Sequence, residues 1–290
     1  MKANADQRRI EKQTRLPDFL YIGTSKAGST WIYKVLAAHP AVYIAPGKGT
    51  YFFDQHFDRG MDWYIEQFRR AEPEEKAGEI SHSYLSSAEA AVRIAEFLPA
   101  VKLLVCLREP VERAFSAYLD SVKNGRFEGS FESALEANPS LLARGAYAQQ
   151  LRRYLDIFPR TQLHIAVFDD LKSDPQRFSD ELCNFLGLDR RPLGAADRQK
   201  MMPAAVPRSR RLTSYIKQLA RSADKVGMRG LRGRVKRSRL IRNLLYRPLG
   251  TDELPRMRAE TREKCRDSFR SQVKELDAML GLQLQERWKY

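Results

Sequence analysis

Cysteine is scarce in this 290-residue chain: there are three, Cys106, Cys183 and Cys265, far apart and without a Cys or His partner at metal-ligand spacing. Neither a disulfide framework nor a cysteine-built metal site is expected from that pattern. Cys106 lies inside an apolar run, Val101 to Leu107, and reads as a packed thiol. Long hydrophobic runs are missing as well. No stretch approaches the roughly 18 to 20 apolar residues that span a bilayer. The opening residues, Met1 to Arg15, are polar and lack the apolar centre of a secretory leader. The expected location is cytoplasmic, with a peripheral place at a membrane surface as the alternative. No internal repeat and no low-complexity tract is found, so the chain reads as globular.

What is present supports a folded domain. Hydrophobic residues make up 43% and charged residues 30% of the chain, enough to bury a core beneath a solvated surface. We expect a polar tail over residues 1–17 and one domain over 18–290, with a basic, Pro- and Arg-rich covering region at 190–255. The net charge is +15 and it is local. Between Arg208 and Arg247 there are fourteen Lys and Arg against a single acid, Asp224. Such a segment attracts something anionic: an acidic acceptor, a phospholipid surface or a nucleic acid. The Arg229 to Arg247 part is amphipathic, which suits an anionic surface and suits equally a solvated helix on the domain.

Periodicity gives the fold class. Phe19-Leu-Tyr-Ile-Gly23 is an apolar run too short for a helix and ended by glycine, hence a buried strand. After the polar loop Thr24 to Gly28, Ser29 to Ala38 carries Trp31, Ile32, Val35 and Leu36 at helical spacing. Downstream, Ala88 to Leu98 reads as helix, Lys102 to Leu107 as strand, Val111 to Lys123 as helix, Gln162 to Phe168 as strand, and Pro175 to Leu186 as helix closed by Gly187. Further helices are expected near Leu212 to Ala220, Arg234 to Tyr246 and Met257 to Met279. Strands alternating with helices predict an α/β, P-loop-like fold with a central parallel sheet flanked by helices. Its ligands collect at the carboxyl ends of the strands.

The first strand–loop–helix unit, Gly23-Thr-Ser-Lys26-Ala27-Gly28-Ser29-Thr30, resembles the Gly-x4-Gly-Lys-Ser/Thr phosphate loop. The lysine has moved, however: it stands at 26, and position 29 is serine. A magnesium–nucleotide enzyme also places an aspartate at a nearby strand end. Here the strand ends in Arg108, a bidentate partner for a bare phosphate, followed by Ser116, which can add a hydroxyl. A salt bridge to Glu112 is the structural alternative for Arg108. A nucleotide with one 5′ phosphate and a second phosphate on the ribose fits these two cradles better than ATP with a metal.

Two segments, Thr24-Ser-Lys-Ala-Gly-Ser-Thr-Trp31 and Leu107-Arg-Glu-Pro-Val-Glu-Arg-Ala-Phe-Ser-Ala-Tyr118, resemble the cofactor signatures of the sulfotransferases that use 3′-phosphoadenylyl sulfate (PAPS). Tyr51-Phe-Phe-Asp54, Asp62-Trp-Tyr64, Gly78-Glu79 before Ser83-Tyr84, and Pro207-Arg-Ser-Arg210 are similar to bacterial and heparan-type members. The resemblance implies a five-stranded parallel sheet. It places Lys26, Ala27, Gly28, Ser29 and Thr30 on the 5′-phosphosulfate and Arg108 and Ser116 on the 3′-phosphate, without metal. Trp31 and Tyr147 would help place the adenosine, each with a core role as the alternative, and Arg208 would close over the cofactor.

Sulfuryl transfer to a hydroxyl, or to an amine, needs a base for the acceptor proton and cations at the leaving oxygen. Lys26 suits the latter, and Lys48 is expected to touch the sulfate. Heparan-type members carry the base as glutamate in Lys-Glu-x-x-Phe-Phe, where this chain has Lys48-Gly49-Thr-Tyr-Phe-Phe53. Cytosolic members use the histidine of Lys-Thr-His, matched here by Ile80-Ser81-His82. His82 is therefore the expected base, with Glu79, Asp54 and His56 in reserve and a structural histidine as the alternative. The expected acceptor is a glycan or small molecule, anionic or membrane-associated ones included. A kinase-like nucleotide-binding protein and a basic nucleic-acid or membrane module are the rival readings, though none of the usual nucleic-acid recognition signatures is present.

Overall fold

The structure is a computed structural model that describes residues 15–198, 205–207, 246–248 and 255–290. The chain divides into two compact units. Met1–Ala114, Leu142–Gln199 and Glu263–Tyr290 make the first, and Phe115–Leu141 with Lys200–Arg262 make the second.

The first unit is built on a parallel sheet of five strands: β1 (Phe19–Gly23), β2 (Val42–Ile44), β3 (Lys76–Ile80), β4 (Lys102–Leu107) and β5 (Leu163–Val167). Their spatial order is β2-β3-β1-β4-β5. All four pairings are parallel, including Phe19 opposite Gly78 on one side of β1 and Lys102 on the other. A strand covered on both faces has no polar face, which is why β1 and β4 read as continuous apolar runs. Every residue of β1 is buried. The chain leaves β1 toward β2 on one side and later fills β4 on the other, so β1 is the switch point at which ligands of open α/β sheets gather.

The connecting helices are α1 (Ser29–Ala37), α2 (Phe52–Gln55), α3 (Gly60–Glu66), α4 (Ala88–Phe97) and α5 (Pro110–Lys123). Next come α6 (Phe131–Ala137), α7 (Ser140–Ala143), α8 (Tyr147–Ile157), α9 (Phe168–Ser173), α10 (Pro175–Leu186) and α11 (Ala195–Arg198). The described part ends with α12 (Ala259–Leu280) and α13 (Leu284–Trp288). Local chemistry fixes several ends. Ser87 caps α4 by accepting from the Ala90 amide at 3.1 Å. Asp174 caps α10 ahead of Pro175, and Gly187 closes it in the left-handed region.

In the second unit, Phe115, Tyr118 and Phe131 pack ring against ring, and the Tyr118 hydroxyl donates to the Gly129 carbonyl at 2.7 Å. Two further strands there, β6 (Ala205–Pro207) and β7 (Tyr246–Pro248), pair antiparallel. The strand at Tyr246 begins where the sequence suggested the end of a helix. The helices expected near 212–220 and through 234–245, together with Arg208, lie outside the described residues. In the first unit, Phe168 opens α9 rather than ending β5. Among the described residues no helix is long and apolar enough to cross a membrane.

Candidate functional site

The tips of the three central strands, β3, β1 and β4, meet at one edge of the sheet and bring the site together. After β1 the chain turns through Lys26, with φ 69°, and Gly28, with φ 86°. Gly28 is required twice over. Its backbone is left-handed, and a Cβ there would lie 2.7 Å from the Leu171 side chain. The amino end of α1 follows at once. A helix leaves its first amides without intrahelical acceptors, and the first turn of α1 contains no acidic residue to occupy that positive end. That end offers an anion amides and a dipole, with no carboxylate in its first turn.

Cations surround this turn. The Lys48 ammonium donates to Ser29 Oγ at 3.1 Å and to Thr30 Oγ1 at 3.2 Å. The Arg108 guanidinium donates to the Lys26 carbonyl at 3.0 Å, stitching the tip of β4 to the loop. It also lies over the Phe168 ring, 5.1 Å from the centroid, and pairs with Glu112 at 3.8 Å. The salt bridge weighed from the sequence and the approach to the loop thus coexist. Burial lowers the Arg108 pKa, while Glu112 and other neighbouring groups raise it. Ser116 stands on α5, in the stretch that belongs to the second unit.

His82 follows β3 and is mostly buried. Its Nδ1 has no hydrogen-bond partner among the described residues. The Tyr51 ring meets its imidazole edge-on, centroids 5.4 Å apart. Its pKa is lowered to about 4, first by burial and then by Lys48, with Arg144 and Lys26 adding to the effect and an interaction with its own backbone opposing it. The ring is neutral at pH 7 and so is able to take a proton.

The segment that carries Lys48 is held by Glu79, a fully buried residue of β3. Glu79 accepts from the Thr50 amide at 2.7 Å, the Thr50 hydroxyl at 2.5 Å, the Ser81 hydroxyl at 2.8 Å, the Tyr84 hydroxyl at 2.8 Å and the Tyr64 hydroxyl at 3.2 Å. Burial pushes its pKa up, and the bonds from Thr50, Tyr84 and Ser81 pull it back. Five donors around one carboxylate make Glu79 a strut, a role its polar position in the sequence did not disclose. Lys48 and Tyr51, on either side, both have positive φ, 89° and 52°. For residues with a Cβ this costs about 1–3 kcal/mol each and persists only where the surroundings enforce it. Gly49 between them has no room for a side chain: a Cβ would lie 2.4 Å from the Ile80 carbonyl oxygen.

Trp31 and Tyr147 are core residues as placed. Trp31 donates its indole N–H to the Asp197 carbonyl at 2.7 Å and packs edge-on against Phe178. Tyr147 is 1% exposed and donates to the Arg108 carbonyl at 2.8 Å. Its hydroxyl therefore fixes the backbone beneath the arginine. Of the reserve bases, Asp54 has a buried Oδ1 without a partner among the described residues, and the His56 ring packs against Trp63.

The parallel sheet and the glycine turn at its switch point define a P-loop-like α/β fold. The sulfotransferase domain model matches residues 16–234, and the chain belongs to that family. Among its relatives is heparan sulfate glucosamine 3-O-sulfotransferase 3A1 of Homo sapiens, 31% identical over 189 residues, which are 62% of this chain and 46% of the relative. Another is the bifunctional heparan sulfate N-deacetylase/N-sulfotransferase 3 of Homo sapiens, 32% identical over 196 residues, 60% of this chain and 22% of the relative. The matched region therefore spans about half or less of these curated relatives. The crystal structure of a sulfotransferase from Alicyclobacillus acidocaldarius is similar with a TM-score of 0.58 and 28% identity, covering 76% of this chain and 96% of that one.

Proposed function

We propose that this chain transfers a sulfuryl group from PAPS to a hydroxyl of a carbohydrate or small-molecule acceptor. The observation that carries the reading is the convergence of Lys48 on Ser29 and Thr30 and of Arg108 on the Lys26 carbonyl, at a helix end free of acidic residues. The donor set suits a doubly phosphorylated nucleotide: amides and ammonium groups at the loop, a guanidinium at the neighbouring strand tip, and a turn at Gly28 too tight for a side chain.

PAPS supplies the activated sulfuryl group. In our reading Lys26, Gly28, Ser29 and Thr30 hold the 5′ side, and Arg108 holds the 3′-phosphate. Lys26 and Lys48 stabilise the negative charge that builds on oxygen as the S–O bond breaks. His82 takes the proton from the acceptor hydroxyl as the new O–S bond forms. Once a bound anion offsets the charge of Lys48 and Lys26, these residues depress His82 less, and the imidazole becomes a stronger base. Relatives named for heparan sulfate support a carbohydrate acceptor.

The test has two stages. Calorimetry in EDTA should detect adenosine 3′,5′-bisphosphate binding, and its absence removes the reading. Transfer of labelled sulfate from PAPS across an acceptor panel should then fall by roughly 10²–10⁴-fold in His82→Ala. An unchanged rate takes His82 out of the mechanism.

A further inference from the structure

Residues 283–290 bind to the two segments that flank Arg108 and Phe168. The Tyr290 hydroxyl donates to Glu109 Oε1 at 2.5 Å. The Trp288 indole N–H donates to Asp169 Oδ2 at 3.0 Å, and Arg287 pairs with Asp170. Glu109 directly follows Arg108; Asp169 and Asp170 directly follow Phe168, the ring beneath the guanidinium. The hook is itself well anchored. Asp277 accepts from the Leu284 amide at 2.7 Å and the Gln285 amide at 3.2 Å. Arg266 donates to the carbonyls of Trp288 and Lys289 and lies over the Tyr290 ring, 4.9 Å from its centroid.

We infer that Tyr290 is a positioning residue for Arg108, keeping the Glu109 carboxylate off the guanidinium so that the arginine stays available to a ribose 3′-phosphate. This rests on the proposed role of Arg108. Glu112 already pairs with Arg108 at 3.8 Å; the Glu109 carboxylate, one residue away, would be a second competitor for the face an incoming phosphate needs. Glu109 has two fixed partners instead: Tyr290 at Oε1, and the Glu112 amide at Oε2, 2.6 Å away. The second bond caps the start of α5 and the first turns the remaining oxygen toward the hook. Burial and the adjacent Glu109 raise the Tyr290 pKa, so it donates throughout the working pH range. Trp288 acts alongside, holding the segment that carries Phe168.

The readout is discrimination, which a merely structural role would not move. Calorimetry on the full chain compares adenosine 3′,5′-bisphosphate with adenosine 5′-monophosphate. Tyr290→Phe should weaken the bisphosphate about tenfold, as loss of a hydrogen bond to a charged group would, and leave the monophosphate within about twofold. Adding Glu109→Gln, which removes the competing charge, should restore the parent ratio. Equal weakening of both nucleotides, an unchanged ratio, or a double variant as poor as Tyr290→Phe overturns the inference. If Tyr290→Phe does not fold, Glu109→Gln alone decides: its ratio should equal or exceed the parent's, and a lower one refutes the competition. Arg108→Ala separates the two levels. Retained discrimination in that variant overturns the arginine's role itself, whereas lost discrimination there with an unmoved Tyr290→Phe overturns only the inference.

Discussion

The tips of β3 and β4 flank the same glycine turn and are built on opposite principles. At β3 a fully buried carboxylate gathers five donors and forces Lys48 and Tyr51 into left-handed backbone. At β4 a partly exposed arginine is held by an aromatic face, a carbonyl and a distant carboxylate. The first is part of the folding core, so the loop it carries cannot shift without exposing unsatisfied groups. The second is held by weak, separable contacts. A protein can thus fix one side of a ligand site through its stability and leave the other side adjustable.

That contrast can be broken most forcefully at Glu79. Glu79→Ala should cost about 3–5 kcal/mol of unfolding free energy in a denaturant titration, because several buried donors lose their acceptor at once. A loss below about 1 kcal/mol would mean that the strut is ornamental. Arg108→Ala should do the reverse, weakening adenosine 3′,5′-bisphosphate by about 100-fold while stability falls by less than about 1 kcal/mol. The third test sharpens the β3 side through pH. His82 has a pKa of about 4 in the folded chain, whereas an unperturbed imidazole titrates near 6.5. Between those values the unfolded chain binds more protons, so stability rises with pH across that window. The contribution is complete above about 6.5 and is lost as pH falls toward 4. The parent should therefore lose about 2–3 kcal/mol more than His82→Ala between pH 7 and pH 4; parallel curves would place the ring in a wetter setting. The smallest effect is expected from Tyr84→Phe, which deletes one donor to Glu79 and should cost about 1 kcal/mol.

The same contrast explains what could be read from the sequence. β1, β4 and β5 were legible because, apart from Lys102 and His164, their residues are apolar or small and buried, and α1 and α10 because glycine and proline mark their boundaries. β2 has only three residues, and β3 reads Lys-Ala-Gly-Glu-Ile, with small and charged residues in the interior. Glu79 looks like a surface position or a spare base until Tyr64 and Thr50, distant in sequence, are seen to surround it. At the site, residues of chemically suggestive type were nominated from the sequence, Lys26, Arg108, Lys48 and His82 among them, and the structure brings Lys48 against Ser29 and Thr30 and Arg108 against the Lys26 carbonyl. Residues that act by holding others were not legible as such. Tyr147 suggested an adenosine contact from its type, and only its bond to the Arg108 carbonyl shows what it holds. The hook at Trp288 and Tyr290 lies more than a hundred residues from the acids it grips, and no local pattern could announce it.

The crowding at Gly49 has a consequence for how this chain could ever change its chemistry. With the carbonyl of Ile80 occupying the volume a first side-chain atom would need, installing a carboxylate at that point takes more than one exchange of residue: the edge of the neighbouring strand has to retreat first. On the present backbone a carboxylate at position 49 has no room, and a mutational path to one runs through a rearranged sheet.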